Sequence, residues 1–305
     1  MDLSLLEELC RIKGVSGDES QIKAFVLSYV ESHSSEWAVK PVVVQGDHIQ
    51  DAVLLVFGEP KVAVFAHMDT VGYSVGYGSN LIRIGGPSAD SDSILVGRDS
   101  VSEIECRLNV GEDGNLSYLY DRDIDRGTCL SYKDNLIQDD TYVQSPYLDN
   151  RLGMFVALKI AETMENGILA FSCYEETGGG NTEVLARVLY EKYQVRQALI
   201  CDITWVTTGV QHGNGVAISM RDSGIPRKTY LNKIVKIATH ANVNFQLEVE
   251  SSGGSDGNAL QRSAYPFDWC FIGAAEDNVH SPEEKVAVKD IEDMIKLYIE
   301  LVKML

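Results

Sequence analysis

Four short runs of this sequence are apolar at almost every position: AVLLVFG (52–58), KVAVFAH (61–67), GILAFSCYE (167–175) and QALICDI (197–203). A strand with one wet face alternates apolar and polar residues, whereas an unbroken apolar run needs cover on both faces. PVVV (41–44) and FDWCFIG (267–273) read the same way. None approaches the roughly 20 apolar residues of a membrane span. Segments with helical periodicity stand between and around them, at 3–12, 19–33, 150–165, 181–193, 227–242 and 288–305. In the first, Leu3, Leu6, Leu9 and Ile12 share one stripe, and Ser16 with Glu19 fits a capping box opening the second. Strands alternating with amphipathic helices predict an α/β sheet layered with helices.

The texture changes between about 76 and 144. Glycine, serine and aspartate interrupt short alternating runs, among them SILVG, IECRLNV and LSYLYD, and EDGN (112–115) carries the Asp-Gly signal of a tight hairpin. This stretch reads as a small all-β module inserted into the α/β domain. A chain of 305 residues has room for both.

Composition narrows the function. A net charge of −19 argues against a nucleic-acid partner, which attracts basic patches. The opening MDLSLLEELC has acids where a signal peptide carries basic residues, so no membrane partner and a cytoplasmic location are expected. Six cysteines without C-x-x-C spacing read as free thiols in a reducing compartment.

The chemistry collects where apolar runs end, the edge at which open α/β sheets place ligands. KVAVFAHMD ends in His67 and Asp69, FSCYEE in Glu175 and Glu176, and ALICD in Asp202; Asp149 and His280 stand in SPYLDNRLG and NVHSPEE. Each has an ordinary reading alone: a hydrogen-bonded histidine, a helix cap, a turn aspartate. Together they form an inventory of imidazoles and carboxylates suited to zinc, cobalt or manganese. The adjacent pair Glu175 and Glu176 then divides its labour, one carboxylate binding metal and the other standing free as a base near an activated water. The following TGGG lets the backbone approach closely. Asp69 is placed to orient His67 from behind.

Seven motifs in order, GVSGDE (14–19), AHMDTVG (66–72), LDNRLG (148–153), YEETGG (174–179), CDIT (201–204), GGSDGNAL (253–260) and HSPEE (280–284), resemble the M42 family of glutamyl-aminopeptidase-like metallopeptidases, in the clan shared with M20 and M28 peptidases. The resemblance implies that His67 and Asp202 hold one divalent ion, Glu176 and His280 a second, and that Asp149 bridges them. Two zinc ions per chain are implied, with cobalt or manganese as substitutes. Glu175 would be the general base acting on a metal-bridging water, with Asp69 supporting His67. The implied fold is a three-layer α/β/α sandwich (1–75 and 145–305) carrying an inserted small β-barrel, PDZ-like, at 76–144 that serves as a lid or in oligomerisation. The implied activity removes N-terminal residues from peptides, in a homo-oligomer. The M20 pattern instead inserts its extra domain after the glutamate and aspartate ligands, where the 78 positions from 202 to 280 leave too little room.

The sequence departs from the family in three places. The chain is short for it, TGGGNTEV lacks an arginine often found there, and QHGNGVAI (211–218) is only loosely similar. These bear on substrate choice and assembly. A deacylase or carboxypeptidase of the same clan would use the same centre, and a non-catalytic oligomeric binding protein is the other alternative. A glycosidase would use the paired carboxylates but leave both histidines and Asp202 unexplained. His212, His240, Trp37, Trp205 and Trp269 read as structural or rim residues, and Asp222 as a turn residue beside the pocket.

Overall fold

The computed structural model describes residues 1–305. The chain opens with helices α1 (Ser4–Arg11) and α2 (Ser20–His33), then strands β1 (Val42–Val44), β2 (Val53–Phe57) and β3 (Val62–His67). Six strands follow without an α-helix among them: β4 (Gly72–Val75), β5 (Leu81–Ile84), β6 (Ile94–Arg98), β7 (Glu103–Val110), β8 (Leu116–Leu119) and β9 (Cys129–Tyr132). Short strands β10 (Ile137–Gln138) and β11 (Tyr142–Gln144) lead into α3 (Leu148–Ala161), β12 (Gly167–Ser172), α4 (Thr182–Tyr193) and β13 (Gln197–Trp205). The chain closes with β14 (Val216–Arg221), α5 (Lys228–His240), β15 (Phe245–Val249), α6 (Asp256–Arg262), β16 (Asp268–Asp277), β17 (Lys285–Ala287) and α7 (Val288–Met304).

The result is a mixed α/β fold with two sheets. The larger runs β1-β2-β12-β3-β13-β16-β17-β11-β10, with β14 and β15 beside β16. Its centre, β12, β3, β13 and β16, is parallel, so four carboxyl ends point to one edge. β2, β3 and β12 are buried along their whole length, as their unbroken apolar sequences require. Helices α1, α3, α5 and α7 pack on one another and on the sheet; α4 and α6 pair and cover β12, β13 and β16.

The second sheet is antiparallel, in the order β5-β4-β9-β6-β7-β8. The Asn80–Ser117 bridge joins its two edges and brings it close to a closed barrel. In β7 the inward Ile104, Cys106 and Leu108 alternate with Glu103, Glu105 and Arg107, and with Tyr73, Leu95, Leu130 and Tyr132 they build a core separate from that of the large sheet. The EDGN turn joins β7 to β8 as an antiparallel hairpin.

Two expectations fail locally. β1 is an edge strand with Val42 64% and Val43 37% exposed, because its three residues pair on one side only. The capping box at α2 does not form. Ser16 Oγ donates instead to the Asp69 carboxylate at 2.6 Å, and Glu19 turns back to accept the Gly17 N–H at 3.0 Å. In a capping box Ser16 Oγ would accept a backbone N–H; here its hydroxyl donates to a buried carboxylate, a charge-assisted bond that outweighs the local cap. A capping box does open α6, between Ser255 and Asn258. All six cysteines are unpaired, and no helix is long and apolar enough to cross a membrane.

Candidate metal centre

Each group at the carboxyl edge of the large sheet arrives on its own element. His67 is the last residue of β3, in register with Ser172 of β12, and Met68 N–H bonds to Ser172 O at 2.8 Å. Beyond β12 the chain makes a short 3-10 turn over Glu175–Thr177, entered through Tyr174 (φ 64°) and left through Gly178 (φ 111°) and Gly179 (φ 79°). The glycines of the TGGG run therefore supply left-handed backbone that other residues resist. Asp202 lies inside β13, and Asp149 stands at the start of α3. His280 follows β16, itself at φ 64°, and Tyr147 just before Asp149 is at φ 71°. Left-handed non-glycine backbone at three places around one site marks positions that the surrounding structure holds against their own preference.

The side chains converge on one cavity of about 510 Å³. His67 Nε2 lies 3.1 Å from Asp149 Oδ1 and 3.6 Å from Asp202 Oδ2. His280 Nε2 lies 3.3 Å from Asp149 Oδ2 and 3.0 Å from Glu176 Oε2. The two oxygens of Asp149 thus face different histidines, each accompanied by a second carboxylate. Glu175 Oε2 stands 3.9 Å from His67 Nε2 and also lines the cavity.

Two further carboxylates hold this arrangement by its backbone. Asp69 is fully buried and accepts the N–H groups of Glu175 at 3.0 Å and Glu176 at 3.1 Å, as well as the Ser16 hydroxyl. Its closest approach to His67 Nδ1 is through its backbone oxygen at 3.1 Å, with its Oδ1 at 3.5 Å. Asp69 therefore acts chiefly on the glutamate turn. Glu284 performs the equivalent task opposite, accepting Asp149 N–H and His280 N–H, each at 3.0 Å. Ser255 Oγ donates to Asp202 Oδ2 at 2.8 Å. Arg151, with no exposed surface, donates to the carbonyls of Met68 and Ile12 and ties the His67 loop to the N-terminal segment. Asp256 accepts the hydroxyls of Ser172 and Thr182, fixing the end of β12 against the start of α4.

Charge is crowded here. Burial pushes Glu175 well above the usual carboxylate range, against the pull of His67 and with the help of Asp202 and Glu176. Burial and the Asp149 charge raise Glu176 to about 7. Burial alone would lower both histidines, but the carboxylates override it, lifting His67 well above its ordinary value and His280 to about 12. Burial likewise opposes ionisation of Asp149, yet His280 and His67 hold it below the usual range.

A divalent cation fits these residues. Ligand atoms of His67, Asp149 and Glu176 lie within 4.8 Å of one another. Glu176 Oε1 is buried without a hydrogen-bond partner, a costly state that coordination would relieve. The set is made of imidazole nitrogens and carboxylate oxygens, the donors that zinc, cobalt and manganese accept.

All seven residues singled out from the sequence meet here: Asp149, Glu175, Glu176, Asp202 and His280 line the cavity, His67 is buried against Asp149 and Asp202, and Asp69 stands behind the glutamate turn. His212 instead pairs with Asp277 at 2.9 Å, His240 lies on the surface of α5, and Trp37 and Trp269 are buried. Trp205 is 43% exposed and lines the cavity, as does Asp222. Sequence reasoning missed Ser16, Glu284, Ser255, Thr204 and Glu248. Ser16, Thr204, Ser255 and Glu284 lay within the motifs GVSGDE, CDIT, GGSDGNAL and HSPEE, which was their signal; Glu248 lay in none.

Fold and site together define a class: an α/β protein with a metal-competent histidine–carboxylate centre at the carboxyl ends of parallel strands. Residues 119–297 match the profile of the M42 glutamyl aminopeptidase family, and the chain belongs to that family. It is accordingly a peptidase, a hydrolase of peptide bonds. A curated relative from Acetivibrio thermocellus, named as a candidate aminopeptidase, is 24% identical over 338 residues, covering 98% of this chain and 97% of its own. Among solved structures, a TET aminopeptidase from a marine-sediment Thaumarchaeota archaeon superposes with a TM-score of 0.87 at 19% identity, covering 99% of this chain and 97% of its own. A TET peptidase of Pyrococcus horikoshii, described as assembling into a tetrahedron or a large octahedral shell, gives 0.82 at 19% identity, covering 98% of each chain. At such identities the solved structures speak for the fold.

Proposed function

We propose that this chain is a dinuclear metal-dependent aminopeptidase. The observation that carries the reading is the division of Asp149, whose Oδ1 faces His67 and whose Oδ2 faces His280. On this reading His67 and Asp202 hold one divalent ion, His280 and Glu176 hold the other, and Asp149 serves both. Zinc is the first expectation, with cobalt or manganese able to replace it. When bound, such ions supply Lewis acidity, polarising the scissile carbonyl and lowering the pKa of water.

The chain's own residues do the rest. Glu175 accepts a proton from the attacking water and passes it to the leaving amine as the peptide C–N bond breaks. Burial of its carboxyl, which raises it above the usual carboxylate range, favours a group able both to take and to give that proton. Asp69 holds the Glu175 and Glu176 peptides, so that base and ligand keep a fixed separation. Glu284 does the same for Asp149 and His280. The substrate's free α-amine would be held among the carboxylates of the centre, which gives exopeptidase action its basis.

The fold reading that accompanies this function is a three-layer α/β/α catalytic domain (1–75 and 145–305) with an inserted PDZ-like β-barrel (76–144) acting as lid or assembly surface. Homo-oligomerisation follows by analogy with the Pyrococcus horikoshii neighbour. Six unpaired cysteines agree with a cytoplasmic location. The test is hydrolysis of a peptide panel by zinc- or cobalt-reconstituted protein, each peptide free or acetylated at its N-terminus, beside the Glu175→Gln variant. Turnover of free-amine peptides alone, lost in the variant, is expected. Turnover of acetylated peptides would move the chain to the deacylase branch.

A further inference from the structure

The cavity that holds the centre extends past it, and its far side is acidic. Asp222, Glu248 and Glu250 line it there with the exposed indole of Trp205, and the cation on that side is Arg262, exposed at the rim. Both nearer carboxylates are buried, Glu248 4% and Asp222 7% exposed. Both are fastened to the frame that carries Asp202. Thr204, two residues beyond Asp202 on the same face of β13, donates its hydroxyl to Glu248. One strand repeat, about 6.6 Å along the backbone, thus separates Thr204, the anchor of Glu248, from Asp202. Asp222 accepts the Gly224 N–H and, at 3.5 Å, the Asn258 amide, and Asn258 forms the capping box with the Ser255 that binds Asp202.

Glu248 has no cationic partner in the protein, and the one cation acting on Asp222 is Arg221. The neighbours of Glu248 are the hydroxyls of Thr204 and Ser219. Arg221, beside Asp222, donates to its backbone carbonyl at 3.2 Å and does not line the cavity. Buried negative charge without a cationic partner is costly, and a ligand that brings the cation recovers that cost. Burial raises both groups above the usual carboxylate range, for Asp222 against the pull of Gly224, Asn258 and Arg221.

Resting on the peptidase reading of this site, we propose that the cavity selects peptides whose N-terminal residue is basic, lysine or arginine, and rejects acidic ones. With the scissile carbonyl at the centre, the first side chain enters this cavity. A flexible four-carbon stem ending in an ammonium, or a guanidinium fork, extends from the centre toward the carboxylates that line the same cavity. Trp205 offers a ring face to the same cation. A glutamate side chain would add another negative charge among three, with Arg262 alone to meet it. The name of the family does not therefore carry over to the substrate of this chain.

The test compares lysine with norleucine, which share the aliphatic stem and differ in the ammonium. Specificity constants are measured for metal-reconstituted protein on p-nitroanilides of lysine, arginine, norleucine, leucine and glutamate. Lysine is expected to exceed norleucine by about tenfold or more, and glutamate to be slowest. In Glu248→Gln, which keeps an acceptor for Thr204, and in Glu250→Gln, on a partly exposed side chain, the lysine-to-norleucine ratio falls toward one. A wild-type preference for norleucine, leucine or glutamate overturns the proposal. Calorimetric binding of lysinamide and norleucinamide supplies a readout independent of turnover. If no anilide is cleaved but lysinamide binds about tenfold tighter, the peptidase reading fails and the cationic pocket stands. Equal binding of the two amides removes the pocket, whatever the turnover.

Discussion

The two walls of one cavity use carboxylates in opposite ways. On the inner wall Asp149, Glu176 and Asp202 surround two imidazoles, in pairs that a cation satisfies. These groups sit on or beside buried strands, and their peptides are gripped by Asp69 and Glu284. On the outer wall Asp222, Glu248 and Glu250 face the cavity with hydroxyls and amides for neighbours. The lesson is that the role of a carboxylate is set by what stands across from it. Where the protein supplies imidazoles and room for ions, the charge serves chemistry. Where it supplies only rim cations and leaves Glu248 to hydroxyls, the charge is left for the ligand.

The inner wall can be broken most severely at its shared member. Asp149→Ala should lower kcat/KM by at least about a thousandfold, because on the proposed dinuclear reading both half-sites lose a donor. Measured together with metal content, retention of a tenth of wild-type activity would separate Asp149 from the centre. Glu175→Gln should cost about 10²–10⁴-fold in kcat with metal content unchanged, since it removes the proposed base and leaves every proposed ligand. Loss of metal in that variant would make Glu175 a ligand instead. Asp69→Asn and Glu284→Gln should each weaken metal affinity by about 10–100-fold, read by competition with a chelator. An effect in one and not the other would show that the two backbone clamps are not equivalent.

The smallest expected effect sharpens the comparison, because it touches both walls at once. Ser255 binds Asp202 on the inner side and caps α6, whose Asn258 reaches Asp222 on the outer side. Ser255→Ala should cost about 1 kcal/mol in unfolding free energy through the lost cap. It should shift metal affinity and the lysine preference by only a few-fold each. A change confined to one of the two would mean that the walls are built independently.

The sequence announced the frame of this molecule through short-range pattern. β2, β3, β12 and β13 were legible because longer unbroken apolar runs favour covered strands, whereas the short run PVVV became the exposed edge β1, and the chemistry stood at or near the ends of β3, β12 and β13. β14 and β15 were not, because VAISMR and FQLEV are short and mix apolar with polar residues. The serine of GVSGDE read as a cap because its nearest glutamate lies three positions on, while its real acceptor, Asp69, is 53 positions away. The same distance hid the grip of Glu284 on Asp149, 135 positions apart, and of Thr204 on Glu248, 44 positions apart. Residue types at strand ends are visible one at a time. Which of them share a hydrogen bond is decided by strand order, which local periodicity does not contain.

The central claim is that Asp149 serves two cation sites, one with each histidine. Calorimetric titration of metal-stripped protein with zinc, beside the His67→Ala and His280→Ala variants, tests it most directly. Two ions per chain are predicted for the wild type, with one strong site lost in each variant and its partner weakened through the shared carboxylate. A single ion per chain in the wild type, abolished by either substitution, would contradict the account and make the cluster one mononuclear site.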